Sequence, residues 1–387
     1  MHGALCNLAP MQFVANGKFP EVKEKKVAGK FVSGLMVCCI IVSLLFAACI
    51  PSTTADKPLP IDPTAFQPKD IDDASHELPP GEAFEWWYFD ASFDNGYSMV
   101  TSWQMANMKL EGVLIPFRVI QFAIYDPQGK KTAVSPMFTV DNYSASKTSC
   151  DVTMGSNHLK GNYPQYDIDF LEGDLGCKLS LENLTQGFRN PPDGVTYFSR
   201  QPDRYIGWVI AQPKAKVTGK LILNGNEIPV TGVAYHDHNW GNCPLPDLYN
   251  FWYWGRILST DYTFVYSVGE TSGVVGSRPT SAIVAFKGHD LVDLSDKIYA
   301  DASDLTLDKL TGINYPKTLV LRMESPAVKG NVTHKVNDLV ESALTPLAVP
   351  GGGRGYLRFL SDCDIRLNVN GEKIETEAPL IHEYMKP

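Results

Sequence analysis

The feature that most constrains the fold is an internal echo. Lys216–Leu223, Asn224-Gly225 and Glu227–His238 read as a β-hairpin, and Ile365–Val369, Asn370-Gly371 and Lys373–Tyr384 read as a second one. Asn-Gly between alternating apolar residues is a strong hairpin signal, because both turn residues must adopt positive φ. The two hairpins share one register. Asn224-Gly225, Ile228 and His236-Asp237-His238 recur 146 positions later as Asn370-Gly371, Ile374 and His382-Glu383-Tyr384. Upstream of each, Glu85-Trp86-Trp87-Tyr88 is echoed by Phe251-Trp252-Tyr253-Trp254. A third Asn-Gly turn, Asp94-Asn95-Gly96, joins Phe84–Phe93 to Tyr97–Trp103. One β unit used twice, over 81–243 and 244–387, accounts for the order of these echoes.

Helical periodicity is nearly absent after residue 80. The expected fold class is therefore all-β: two tandem lipocalin-like antiparallel β-barrels, each an up-and-down sheet sized for one ligand, with a β-sandwich as the alternative. Closure removes the edges that so long an antiparallel sheet would otherwise expose.

The N-terminus has a different character. Residues 1–30 form a leader carrying Lys18, Lys23, Lys25, Lys26 and Lys30, and residues 31–50 form an uncharged run. As a helix, that N-terminal hydrophobic run is just long enough for a bilayer core of about 30 Å. The basic flank places the leader in the cytoplasm, so the body is expected to be exported and membrane-anchored on the extracytoplasmic side. Ala47-Ala48-Cys49 resembles a lipoprotein processing site with Cys49 as the lipidated residue, and an uncleaved signal anchor is the other reading. Residues 51–80, rich in Pro, Asp, Ser and Thr, read as an extended linker.

Acidic residues outnumber basic ones 43 to 34, for a net charge of −9, and no basic run occurs beyond the leader. Nucleic acid is excluded as a partner on that ground. The oligomeric state is left open. Of eight cysteines, Cys150, Cys177, Cys243 and Cys363 fall in the body without Cys-x-x-Cys spacing, which excludes a zinc ribbon. Export would permit a disulfide, Cys150–Cys177 first among three connectivities, and buried free thiols are the alternative.

Two groups of residues can carry chemistry. On a strand, Ile228, Val230, Gly232, Ala234, His236 and His238 share a face, with Trp240 continuing the line and Asp237 pointing the other way. An apolar face ending in two imidazoles suits proton handling inside a barrel, and hydrogen-bonded core histidines are the plain alternative. His-x-His is also a zinc-ligand spacing, but no third ligand follows at a useful distance, so neither metal nor cofactor is expected. The second group is aromatic. Trp86, Tyr88, Trp252, Trp254 and Phe264 are candidates to line a pocket for an apolar chain or to face a cation on it, with core packing as the alternative. Glu85 or Asp90 is expected to pair with Arg256 between the barrels.

Glu85-Trp-Trp-Tyr-Phe-Asp90 and Tyr235-His-Asp-His-Asn-Trp-Gly241 together resemble the carotenoid 1,2-hydratase (hydroxyneurosporene synthase) and AttH-like lipocalin family, over roughly residues 75–387. The resemblance implies two lipocalin-like barrels and a hydrophobic, often isoprenoid or polyketide, ligand. It places the hydratase His and Trp on His238 and Trp240, and the hydratase Tyr on Tyr266. Val268 stands where the hydratase has an Asp. Hydrating a terminal alkene needs a proton donor able to make a tertiary cation, ordinarily a carboxylic acid raised in pKa by a dry pocket. Without that Asp, the proton falls to His238 with His236 orienting it, or to Asp237 or Glu85.

Two functions follow. The first is a hydratase or cyclase acting on an isoprenoid or other hydrophobic chain by acid–base chemistry. The second is a non-catalytic, membrane-tethered carrier of an apolar lipid.

Overall fold

The computed structural model describes residues 62–198, 201–345 and 348–387, with the side chains of residues 201 and 202 excepted. The leader, the apolar run 31–50 and Cys49 lie outside the described residues.

The described chain forms two curled antiparallel sheets of 13 and 9 strands. Each sheet begins with an aromatic strand, Ala83–Phe93 in the first and Tyr249–Leu258 in the second. A meander runs outward from that strand. The chain then returns along a second meander, whose last strand pairs back onto the aromatic one. Those closing strands are Asn226–Gly241 and Glu372–Lys386. The two sheets thus repeat one topology. The repeat extends to register: Trp87 lies opposite His238 in the first sheet, and Tyr253 opposite Tyr384 in the second.

The turns follow from their residues. Asn224-Gly225 has φ values of 52° and 74°, and Asn370-Gly371 has 52° and 93°, the paired left-handed conformation of a two-residue turn matched to strand twist. Asp94-Asn95-Gly96 differs. Only Gly96 is left-handed (φ 86°), and its N–H reaches the Phe93 carbonyl at 3.0 Å, so this loop has three residues.

Alternate side chains point into each barrel. Trp87, Phe89, Ala234 and Trp240 join the first core with Ile120, Phe170 and Leu179. Tyr253, Phe264 and Tyr266 join the second with Leu319, Phe359 and Ile365. The opposite faces of the same strands meet in a third apolar cluster between the barrels, which includes Tyr235, Trp254, Val265 and Phe286.

Two expectations are corrected. The linker read over 51–80 does not extend to residue 80. Pro63–Phe66 and Asp70–Asp73 are short 3-10 turns, and Asp73 is only 1% exposed. Asp72 and Asp73 are bonded into the barrel by Arg189 and His236, while residues 62–65 and 69–71 of the same stretch stay exposed. The Cys150–Cys177 disulfide does not form: all four body cysteines are free and buried. Cys177 sits among apolar neighbours, where a thiol packs as a small hydrophobe, whereas Cys150 stands within 4.8 Å of Asp73 and His236.

Candidate active site

The strand Asn226–Gly241 is buried on both faces from Ala234 onward. From Ala234 onward its even residues face the first barrel's interior and its odd residues, Tyr235 among them, face the inter-barrel cluster, so His236 and His238 are separated from Asp237 by the sheet itself.

Inside the barrel, His236 and His238 are fully buried. His238 Nε2 lies 2.9 Å from Glu85 Oε1, and its Nδ1 lies 3.3 Å from Asp73 Oδ1. His236 Nε2 lies 3.0 Å from Asp73 Oδ2, and its Nδ1 lies 2.9 Å from the Tyr88 carbonyl. The Nε2 contact of His238 is a hydrogen bond, whereas its Nδ1 and Asp73 Oδ1 face each other as a close ionic contact without hydrogen-bonded geometry. Burial alone would lower the His238 pKa, but hydrogen bonds and charge from Asp73 and Glu85 outweigh it and hold the ring at about 9. Burial likewise opposes ionisation of both carboxylates, yet their imidazole partners hold Asp73 and Glu85 below the ordinary range. The result is a closed network in which Asp73 and Glu85 are held ionised against a protonated His238, with His236 bonded between Asp73 and the Tyr88 carbonyl. Aromatic rings wall it in: Trp87 stacks on His238 with centroids 4.5 Å apart, and Phe89 on His236 at 3.8 Å.

The strap 62–77 closes this network from outside. Trp87 Nε1 donates to the Asp73 carbonyl at 3.1 Å, and the His76 N–H donates to Glu85 at 2.6 Å. The His76 ring stacks on Trp240 at 3.7 Å. Trp240 fits because its cross-strand neighbour is Gly207, where a Cβ would stand 2.1 Å from the indole. Two ligand-like sets arise here, His76–Glu85–His238 and Asp73–Cys150–His236, each with its atoms within 4.8 Å of one another. The fold therefore supplies the third partner that spacing along the chain did not offer. In the His76–Glu85–His238 set the carboxylate already faces the protonated His238 ring.

On the opposite face the chemistry is different. Asp237 accepts from the Tyr235 hydroxyl and from Trp208 Nε1, both at 2.8 Å, and from Asn239 Nδ2 at 3.1 Å. Burial between the barrels outweighs these three donors and pushes its carboxyl up to about 6. The rings of Tyr88, Trp208 and Trp252 border the same inter-barrel cluster and are half-buried, and Trp254 lies 5.2 Å from Tyr235. Asp237 is thus a carboxyl poised near neutrality on an aromatic surface.

The other expected residues fall as follows. Tyr266 is not brought to His238 or Trp240. Its side chain points into the second barrel, beside His334 at 6.2 Å. The reason is parity: even residues of the strand Tyr262–Thr271 face the second core and odd ones face the first barrel. Phe264 is buried with Tyr266. Trp86 and Tyr88 do not line the first barrel's interior, where Trp87 and Phe89 stand instead; they face outward. Trp252 and Trp254 lie between the barrels with Tyr88. Arg256 pairs with Asp90 and lies 4.6 Å over the Tyr235 ring. Glu85 is not part of that pair, because it faces inward to His238. Asp73, His76 and Trp208 were not singled out from sequence. Asp73 and His76 lie in a segment without periodicity, and Trp208 reaches Asn239 only through bulges near Val209 and Gln212 that shift the hairpin register.

The profile of the Svf1 family matches residues 83–348. Hydroxyneurosporene dehydrogenase of Chlorobaculum tepidum is 24% identical over 353 residues, covering 82% of this chain and 86% of that protein. The quinolone epoxide rearrangement protein asqO of Emericella nidulans is 25% identical over 203 residues, 47% of this chain and 53% of that protein. Among solved structures, an AttH candidate of Nitrosomonas europaea superposes with a TM-score of 0.61 at 13% identity, covering 85% of this chain and 99% of that one. This last likeness establishes the shared two-barrel fold.

Proposed function

The chain belongs to the Svf1 family, and on that footing we propose that it is an acid–base enzyme for an apolar small molecule, with the Asp237 carboxyl as proton donor. One observation carries the reading: a buried carboxyl raised to about 6, held by three donors on an aromatic surface between two barrels. A carboxylic acid so placed can protonate an alkene or open an epoxide, while ring faces such as Tyr88 and Trp208 stabilise the developing positive charge. The proton returns to the Asp237 carboxylate in one of two ways. Water adds to the cation and loses a proton, giving hydration, or the substrate itself loses one, giving cyclisation or rearrangement. Relatives named for hydroxyneurosporene chemistry and for epoxide rearrangement support an enzyme over a carrier.

The reading moves the acid away from His238. Both nitrogens of that ring face carboxylates inside a closed network, which leaves no proton directed at a substrate. His236, His238 and Trp240 instead anchor the strand whose other face presents Asp237.

The test is turnover by the full chain of an acyclic carotenoid and of an aryl epoxide, followed by liquid chromatography and mass. Hydration adds one water, whereas rearrangement yields an isomer. Asp237→Asn, nearly isosteric, is expected to lose turnover by about 100-fold or more with the fold intact, the scale of general-acid contributions. Protonation-limited turnover is expected to fall about tenfold per pH unit above the Asp237 pKa. An Asp237→Asn protein as active as the parent would overturn the assignment.

A further inference from the structure

We propose that the second barrel holds the neutral hydroxyl or carbonyl end of an apolar ligand between Tyr266, His334 and His382. These side chains are fully buried, and each carries one polar atom without a partner: Tyr266 Oη, His334 Nε2 and His382 Nδ1. Their other hydrogen bonds are made. His382 Nε2 lies 2.9 Å from Ser361 Oγ, and His334 Nδ1 lies 3.0 Å from Cys363 Sγ. The two imidazole centroids are 4.6 Å apart, and His334 is 6.2 Å from the Tyr266 ring. Unpartnered polar atoms in a dry core are costly, and native proteins leave few of them. Here three such atoms belong to neighbouring side chains of one barrel.

The internal repeat sharpens the contrast. His382 stands where His236 stands in the first barrel. There the imidazole is satisfied on both sides, by the Tyr88 carbonyl and by Asp73 of the strap, and Phe89 lies opposite and stacks on it. In the second barrel the residue opposite His382 is Gly255. A Cβ there would stand 2.6 Å from Tyr266 Oη and 3.0 Å from His382 Cβ, so glycine keeps this space clear for the two polar side chains. The first barrel plugs its inner histidine with its own chain, and the second does not.

The edge strands of the second sheet, Asp290–Ser295 and Ile298–Leu307, are consecutive in the chain but not paired with each other. The seam between them is shut at Ile298, which is 1% exposed, and open by Ala302, which is exposed although it lies on the inward face. Ala302 pairs with Leu319, Leu319 with His334, and His334 with Cys363, so one row of side chains joins the seam to the site, with the fully buried Leu319 between them.

The ligand's polar end must be uncharged. Burial holds His334 at about 4, and burial with the neighbouring His334 pushes His382 well below the ordinary imidazole value, so both rings are neutral; burial also pushes the Cys363 thiol up to about 12. No cation stands among these groups to receive a carboxylate. A hydroxyl donates and accepts at once, which suits a phenol and two neutral imidazoles.

Calorimetric titration of the full chain with dodecan-1-ol and with dodecanoate tests this. The alcohol is expected to bind at one site per chain, and dodecanoate about tenfold or more weaker. Tyr266→Phe, which removes only the hydroxyl, is expected to weaken the alcohol about tenfold, and Ala302→Trp to abolish binding by filling the seam. A chain that takes up no alcohol, holding only buried water, would overturn the proposal. So would equal binding of acid and alcohol, or a Tyr266→Phe protein that binds like the parent. The site shares no residue with the inter-barrel acid, so its failure leaves the Asp237 reading standing.

Discussion

Neighbouring residues of one strand are driven to opposite electrostatic ends. His238, given two carboxylates, is held protonated to about 9, whereas Asp237, given only neutral donors and a dry interface, is raised to about 6. The first shift makes a stability prediction. The folded His238 pKa lies above its unfolded value of 6.5, so the network's contribution is complete below that value and is lost as pH rises through about 9. His238→Gln is expected to flatten the fall in Tm across that window, and His238→Ala to cost about 3–5 kcal/mol by leaving Asp73 and Glu85 uncompensated. A parent protein whose Tm is level over the same range would refute the ion-paired network. Sequence placed His236 and His238 on one face and Asp237 on the other. It could not choose between Trp86/Tyr88 and Trp87/Phe89 as inner rings. The outer face is only half-buried but carries Trp86 and Tyr88, while the inner face carries the polar Glu85, so apolar character does not tell the two faces apart over 85–89.

At the scale of elements, the strap and the hairpins had different visibility. Asn224-Gly225 and Asn370-Gly371 are local devices, fixed by two residues that tolerate positive φ, and they were legible. The strap is not a local structure. Its two short turns have no apolar face, and it is held by Asp73 in the barrel, by the Arg189–Asp72 ion pair at 2.9 Å, and by the Phe66–Phe188 stack. Asp73→Asn removes one charge and no volume. Breaking a buried pair typically costs about 3–5 kcal/mol, concentrated here in a segment with few other apolar contacts. Limited proteolysis is expected to cut the variant within residues 62–80 at least tenfold faster than the parent, with both barrels left intact. Unchanged cleavage would mean that Asp73 does not hold the strap.

Across the whole molecule, the barrels are joined by a polar clamp beside the apolar cluster. Arg358 is buried at 3% exposure and bonds Glu383 at 2.9 Å, Glu341 at 3.4 Å and the Tyr88 hydroxyl at 3.1 Å. Tyr125 and Lys131 of the first barrel reach the same Glu341, at 3.1 and 2.7 Å. Arg358→Leu is expected to destabilise by about 3–5 kcal/mol, and Arg358→Leu with Glu383→Leu by less, because the pair leaves together. Chemical denaturation of the two variants checks this; a double variant no more stable than the single would argue against direct pairing. The sequence by itself determined the all-β class, the duplicated unit, the hairpin turns and the strand that carries the polar motif, because these depend on local periodicity and on turn residues a few positions apart. Only the tertiary structure decided which face of each aromatic strand looks inward, that Glu85 and Asp73 meet the histidines, and that Tyr266 belongs to a different barrel. Those outcomes depend on contacts between residues more than 100 positions apart, and long-range pairing leaves no periodic trace in the chain.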